Sequence, residues 1–259
     1  MASSVLGLRV VPEEVVKCIT LVRHAQAESN VAGMVTRDAY RSEEWFDARI
    51  TELGREQARG LNARLGAAGT MDRFEVVLTS PLSRALQTME VAFEGCSAKR
   101  VAVEGCRERL GVNPCDRRRS LAELRERFPG VDFDEAMGEC SEHDALWEGY
   151  GKERREPKEH LEARFVAFLR YLLSRPEREI AVVTHSSFLF FGLALFAGSE
   201  TDSPEVTDGV RRWFENCESR RLYLSDSMLA PESLAIKPPT EEATKALAAQ
   251  AEREAGRRP

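Results

Sequence analysis

The chain has no long apolar run. Across its 259 residues, nothing approaches the roughly 18 or more consecutive apolar residues of a membrane-spanning helix. It also has no surplus of positive charge. Thirty-seven Lys and Arg stand against 43 Asp and Glu, a net charge of −6. That balance argues against general affinity for nucleic acid or for an anionic membrane surface. Cysteine is sparse: Cys18, Cys96, Cys106, Cys115, Cys140 and Cys217 are scattered. None forms a CxxC pair or a Cys/His spacing of a zinc site, so free thiols in a reducing compartment and no metal are expected. No GxxxxGK[ST] loop occurs, so nucleotide-driven transfer through that device is not expected. The N-terminus, MASSVLGLRVVPEEVV, is too acidic and too weakly apolar for a signal peptide, and Glu13 and Glu14 argue against a transit peptide. A cytoplasmic protein is the default expectation.

What is present is a globular composition, 42% apolar and 31% charged, with length for one large α/β domain or two small ones. Short β-branched runs read as buried strands: Ile19 to Val22, Val76 to Leu78, Val101 to Val103, Ile180 to Val183, and more weakly Leu222 to Leu224. Helical patterns lie between them. Thr51 can cap a helix bearing Ala58, Leu61 and Leu65. Ser80-Pro81 reads as an N-cap and a first-turn proline before the stripe Leu82, Leu86, Met89, Phe93. Leu161, Phe165, Phe168, Leu169 and Leu172 form another stripe, ended by Pro176. Phe188 to Phe196 is apolar all round and reads as a deeply buried helix.

Alternating strands and helices predict an α/β fold with a mainly parallel sheet. The expected organisation is one domain over residues 1–230. Within it, the polar, irregular stretch 107–158 reads as a surface insertion or lid. Residues 231–259, rich in Ala, Glu, Lys and Arg, read as a tail outside the core, helical or disordered.

Ligands of open parallel sheets bind beyond the carboxyl ends of the strands. The first strand runs into Arg23-His24, and the strand at 180–183 into Thr184-His185. The strand at 76–78 leads to Ser80-Pro81 and Arg84, and the one at 101–103 towards Glu108. Two His, two Arg and one Glu are thus expected in one crevice. Arginine forks match phosphate oxygens, and a helix N-terminus near Pro81 would favour an anion.

At this point the motifs resemble a known family. Leu21-Val22-Arg23-His24-Ala25 resembles the Arg-His-Gly signature of the histidine phosphatase superfamily, with Ala25 in place of the usual Gly. TSPLSRALQT (79–88), CRERLG (106–111) and VVTHSSFL (182–189) resemble its further motifs, in the family's order. The segments RHAQAESNVAG (23–33), FDARITELG (46–54), LGVNPCDRRRS (110–120) and NCE (216–218) resemble the phosphoglycerate-mutase-like branch of plants and fungi. The resemblance implies a three-layer α/β/α sandwich and phosphoryl chemistry without metal or cofactor. It implies that His24 is the nucleophile that becomes phosphohistidine, that Arg23, Arg84 and His185 bind phosphate, and that Glu108 donates the proton. It also places Asn30 in the phosphate pocket. Glu104, four residues before Glu108, remains an alternative donor.

Arg109, Arg117 and Arg118, with Arg119, Arg154 and Arg155, are candidates for a second anionic group of the substrate. The bland alternative for each is a solvated face. His143 and His160 carry no motif and are read as non-ligands, and Cys115 as an ordinary thiol. The expected partner is a small phosphorylated molecule such as a sugar phosphate, a phosphoglycerate or an inositol phosphate. Three functions compete: a phosphomonoesterase, a phosphoglycerate mutase, and a phosphate-binding protein without turnover. The segment 110–130 does not look like the long basic segment of true mutases, which favours the phosphatase.

Overall fold

The computed structural model describes residues 16–136, 142–196 and 212–229. The tail at 231–259, the N-terminus to residue 15 and Cys140 lie outside them.

Five strands form one sheet in the order β3-β2-β4-β1-β5. They are β1 (Lys17–Arg23), β2 (Val76–Thr79), β3 (Lys99–Ala102), β4 (Glu179–Thr184) and β5 (Ser219–Leu224). The first four are parallel to their neighbours, and β5 runs antiparallel along β1. Their side chains alternate with period two between the faces. Ile19, Leu21, Val76, Leu78, Ile180 and Val182 enter one apolar cluster. Val22, Val77, Ala181 and Val183 enter the other. Both faces are therefore covered, which is why these strands read as continuous apolar runs.

One cover consists of α2 (Glu52–Ala67), α3 (Ser83–Ala92) and α4 (Leu121–Arg127). Thr51 caps α2, its hydroxyl accepting from the Gly54 N–H at 3.0 Å, and the stripes 58/61/65 and 82/86/89/93 are buried as expected. The other cover is α6 (Lys158–Ser174) with α7 (Ser186–Leu193). These two helices approach closely at Gly192, where a Cβ would sit 2.1 Å from the Phe165 ring. This is a three-layer α/β/α sandwich.

Two readings are corrected. The helix after β2 begins at Ser83, not Pro81, and Ser80 does not cap it. Instead the distant Asp47 carboxylate accepts from the Ser83 N–H (2.8 Å) and hydroxyl. The helix from Ser186 ends at Leu193 and is not buried all round: Phe190, Phe191 and Leu193 are half-exposed. The stretch from 107 is built into the protein. It holds α4, α5 (Ala145–Tyr150) and, among the described residues, one short 3-10 turn at Pro114–Asp116, and it buries Leu110, Cys115, Leu124, Phe133 and Trp147. No helix among the described residues is long and apolar enough to cross a membrane.

Candidate active site

The carboxyl ends of β1, β2 and β4 are aligned by backbone bonds that continue past the sheet. The His24 N–H donates to Thr184 O (2.9 Å), and the Ser80 N–H to Val183 O (3.0 Å). The Thr184 hydroxyl reaches Cys106 O, fixing the turn before Glu108. The expected groups are thereby gathered. A cavity of roughly 230 Å³ is lined by Arg23, His24, Asn30, Arg84 and Glu108, among others. The His185 ring lies behind it, 5.0 Å from the His24 ring, with no solvent exposure.

The His24 loop is fixed on every side. The Ala25 N–H donates to Thr88 Oγ1 (2.9 Å), and the Gln26 N–H to Gln57 Oε1 (2.9 Å). The Asn216 amide donates to His24 O (2.9 Å), and the Cys217 N–H to Arg23 O (3.1 Å). Ala25 itself is fully buried in the core cluster on this side of the sheet, so its methyl group fills space there.

The imidazole's hydrogen bonds settle its tautomer. A carbonyl only accepts, so Nδ1, 2.7 Å from Ala25 O, carries the proton. Nε2 then holds a lone pair and accepts from the Arg84 Nε–H at 3.3 Å. Burial, and after it the charges of Arg84 and Arg23, holds the His24 pKa well below the ordinary histidine value. Burial and Arg84 do the same for His185. Both rings are neutral at pH 7.

Arg84 is buried, and each of its three nitrogens makes one hydrogen bond. Beyond Nε, its fork donates to Cys115 O and to Asp116 Oδ1 (2.8 Å). Asp116 also accepts from Arg155 at 2.9 Å, so one buried carboxylate orients two cavity arginines. Arg23 donates to Phe214 O at 2.6 Å, while its Nε is buried without a partner. His185 accepts or donates at Nε2 to the Ser80 hydroxyl (2.7 Å), and its buried Nδ1 likewise has no partner. Orphaned polar atoms are rare in folded proteins. Of these atoms, Arg23 Nε belongs to a residue of the cavity lining, beside Arg84.

Glu108 is held as an acceptor by the Arg109 N–H (2.8 Å) and, at its other oxygen, by the Ser187 N–H (3.3 Å) and the Ser186 hydroxyl (3.5 Å). Glu104 stands elsewhere. It is buried between Arg107 (2.9 Å) and Arg118, and it does not line the cavity.

The further arginines divide. Arg155 lines the cavity and Arg154 does not; the latter is exposed and bonded to Gly149 O. Arg109, Arg117 and Arg118 are not in the lining either. Arg109 donates to Glu156 O (2.7 Å) and lies over the Phe191 ring. Arg117 stacks over Phe46 and Trp147 and pairs with Glu43. Arg118 is turned inward onto Glu104 and backbone carbonyls. His160 is half-buried against the Tyr150 hydroxyl (3.0 Å), and His143 is exposed. Among the described residues, no three His, Cys, Asp or Glu side chains are gathered as a metal ligand set.

Sequence reasoning missed Arg37, Tyr40, Asn113, Asp116 and Trp213 in the lining. Asp116 and Asn216 did fall inside segments singled out as branch-specific, which was the available signal.

The model of the histidine phosphatase superfamily (branch 1) matches residues 19–209. Phosphoglycerate mutase-like protein 1 of Arabidopsis thaliana is 38% identical over 256 residues, covering 88% of each chain. A second Arabidopsis phosphoglycerate mutase-like protein is 35% identical, covering 85% of this chain and 89% of its own. Among solved structures, the fold is similar to a putative alpha-ribazole-5'-P phosphatase of Escherichia coli, with a TM-score of 0.52 and 17% identity over 81% of this chain and 91% of that one. It is also similar to a mycobacterial glucosyl-3-phosphoglycerate phosphatase, with a TM-score of 0.50 and 20% identity over 81% and 97%. With the family model spanning most of the chain and relatives above 30% identity along nearly all of it, this chain belongs to the histidine phosphatase superfamily.

Proposed function

We propose that this protein hydrolyses phosphomonoesters through a phosphohistidine formed on His24. One observation carries the reading. His24 is a neutral imidazole in the wall of a cationic cavity, with Nδ1 locked as a donor to Ala25 O and the lone-pair nitrogen, Nε2, beside Arg84. A nucleophile in that form needs no prior deprotonation.

The steps follow from the residues. Arg23, Arg84, Asn30 and His185 bind the phosphoryl oxygens, and the unpartnered Arg23 Nε–H fits this role. Nε2 attacks phosphorus and the ester P–O bond breaks. The Glu108 carboxyl passes its proton to the departing oxygen. The resulting carboxylate takes a proton from water, the water oxygen attacks phosphorus, and the N–P bond breaks to release phosphate. Two inversions give overall retention at phosphorus. The protein's work is positioning and charge stabilisation.

Two Arabidopsis relatives are named phosphoglycerate mutase-like, and a mutase would return the phosphoryl group to substrate in place of the water step. The test is phosphate release from p-nitrophenyl phosphate, with chelator present, in wild type and His24→Ala. We expect release in the wild type and a fall of about a thousandfold or more in the variant. Interconversion of phosphoglycerates without net release would replace hydrolysis by the mutase reaction. Folded wild type that binds inorganic phosphate and turns over neither would reduce the site to a receptor.

A further inference from the structure

Trp213 lines the cavity beside His24 and Glu108, and 46% of its surface is exposed. Nothing in the phosphoryl chemistry uses it. The indole is nevertheless fixed in place. Phe190 stacks on it with ring centroids 4.1 Å apart and planes within 4°. Phe191 meets it edge-on at 6.3 Å. Its own carbonyl accepts from Arg220 (3.0 Å), and the next carbonyl, Phe214 O, accepts from Arg23 (2.6 Å). A ring ordered in advance loses little further freedom when a ligand lands on it.

Its position assigns it to one end of the site. Phe190 belongs to α7, whose first residues, Ser186 and Ser187, hold the Glu108 carboxylate. On the hydrolase reading, on which this inference rests, Glu108 faces the departing oxygen. Trp213 shares the cavity lining with Glu108, and on that reading its indole is available to the leaving group. The cavity, roughly 230 Å³, is smaller than the roughly 300–1,000 Å³ that encloses a drug-sized ligand. The part of the ester beyond the phosphoryl group must extend over this rim. Arg109, the cation next to the acid, donates its Nε to Glu156 O and lies over the Phe191 face, and the further cations of the lining are Arg37 and Arg155.

We propose that Trp213 is a stacking platform for the leaving group, and that the site takes phosphomonoesters of alcohols bearing a planar, unsaturated ring in preference to phosphorylated polyols. Offset or parallel stacking of the kind already made with Phe190 is the interaction expected.

The test separates this from the hydrolase reading by using binding as well as turnover. Calorimetric titration compares benzylphosphonate with methylphosphonate, neither of which has a scissile ester. Wild type should bind the benzyl compound about threefold to tenfold more tightly, and Trp213→Ala should lose that ratio while Trp213→Phe keeps most of it. In turnover, the kcat/KM ratio of benzyl phosphate to glycerol 1-phosphate, both esters of primary alcohols, should fall by a similar factor in Trp213→Ala. Equal affinities in wild type, or an unchanged ratio in folded Trp213→Ala, overturn the platform even if His24 turns over both esters. A benzyl preference in binding without any turnover keeps the platform and removes the hydrolase.

Discussion

At the scale of the residue, the site is defined by groups whose charge state the fold imposes. His24 and His185 are buried side by side, and burial followed by neighbouring arginine charge pushes both pKa values well below the ordinary range. The unfolded chain binds protons on these rings near pH 6.5 and the folded one does not. Stability at these two positions is therefore complete above about 6.5 and declines as pH falls below it. The expected outcome is that the His24 and His185 ring resonances, assigned by comparison with His24→Gln and His185→Gln, stay flat from pH 8 down to pH 6. A midpoint near 6.5 for either ring would show that neither burial nor the arginines govern it. Sequence made these residues legible because each stands at the end of a buried β-branched run, where strand direction alone dictates position. Arg117 and Arg118 were illegible for the opposite reason. A run of three arginines has no periodicity to say which one faces solvent. Arg118 turned inward because the buried Glu104 required a counter-charge.

At the scale of the element, α3 shows how a helix start can be fixed from far away in the chain. Its own N-cap position is Leu82, which offers no side-chain acceptor. Asp47, with φ of 45°, supplies the carboxylate from another loop and takes both the N–H and hydroxyl of Ser83. Local sequence favoured Ser80-Pro81 because those residue types cap helices. The signal lost to a tertiary contact, since Ser80 is engaged with His185 and serves the site instead. Burial pushes the Asp47 carboxyl up to about 6, against the opposing effect of Ser83 and Arg119. The sign follows from comparing the two states. The folded protein holds this proton more tightly than the unfolded chain, where the value is near 3.8. This carboxyl's contribution thus weakens as pH rises from about 4 to about 6, by about 2 to 3 kcal/mol, and is flat above that. Urea unfolding of wild type and Asp47→Asn at pH 4, 5, 6 and 7 checks this. The difference in unfolding free energy between the two proteins should change over that window in the wild type's disfavour as pH rises. A constant difference would show that Asp47 stays ionised throughout.

At the scale of the whole molecule, the instructive stretch is 107–158. Polarity and irregular patterning made it read as a surface insertion, and its helices are too short for periodicity to reveal. Several of its charges are buried. Arg107, with no exposure, donates to Glu104 (2.9 Å) and to Asp144 (2.7 Å), and Asp144 also accepts the Arg118 and Trp147 N–H groups. Glu104 follows β3, while Asp144 heads α5, so this network joins the sheet edge to the far part of the stretch. Apolar residues of the same stretch, Leu121, Leu124, Phe128 and Phe133, enter the core on the α2–α3 side. A part tied by both a buried ionic network and a shared core should unfold together with the rest. Burial alone would raise the Asp144 pKa, but the Arg107 charge and hydrogen bonds more than offset it and hold the carboxyl below its ordinary value. The contribution is therefore complete above about pH 4 and is lost as pH falls further. Removing this partner leaves Arg107 buried beside one carboxylate that it already shares with Arg118. Breaking such a pair costs about 3 to 5 kcal/mol. Asp144→Ala at pH 7 is expected to lower the unfolding free energy by that amount in one transition, with coincident tryptophan fluorescence and far-ultraviolet circular dichroism curves. Trp147, buried in this stretch, reports on it directly. An early fluorescence transition, separate from loss of helix and sheet, would mean that 107–158 opens by itself as a lid and that the ionic network is local to it.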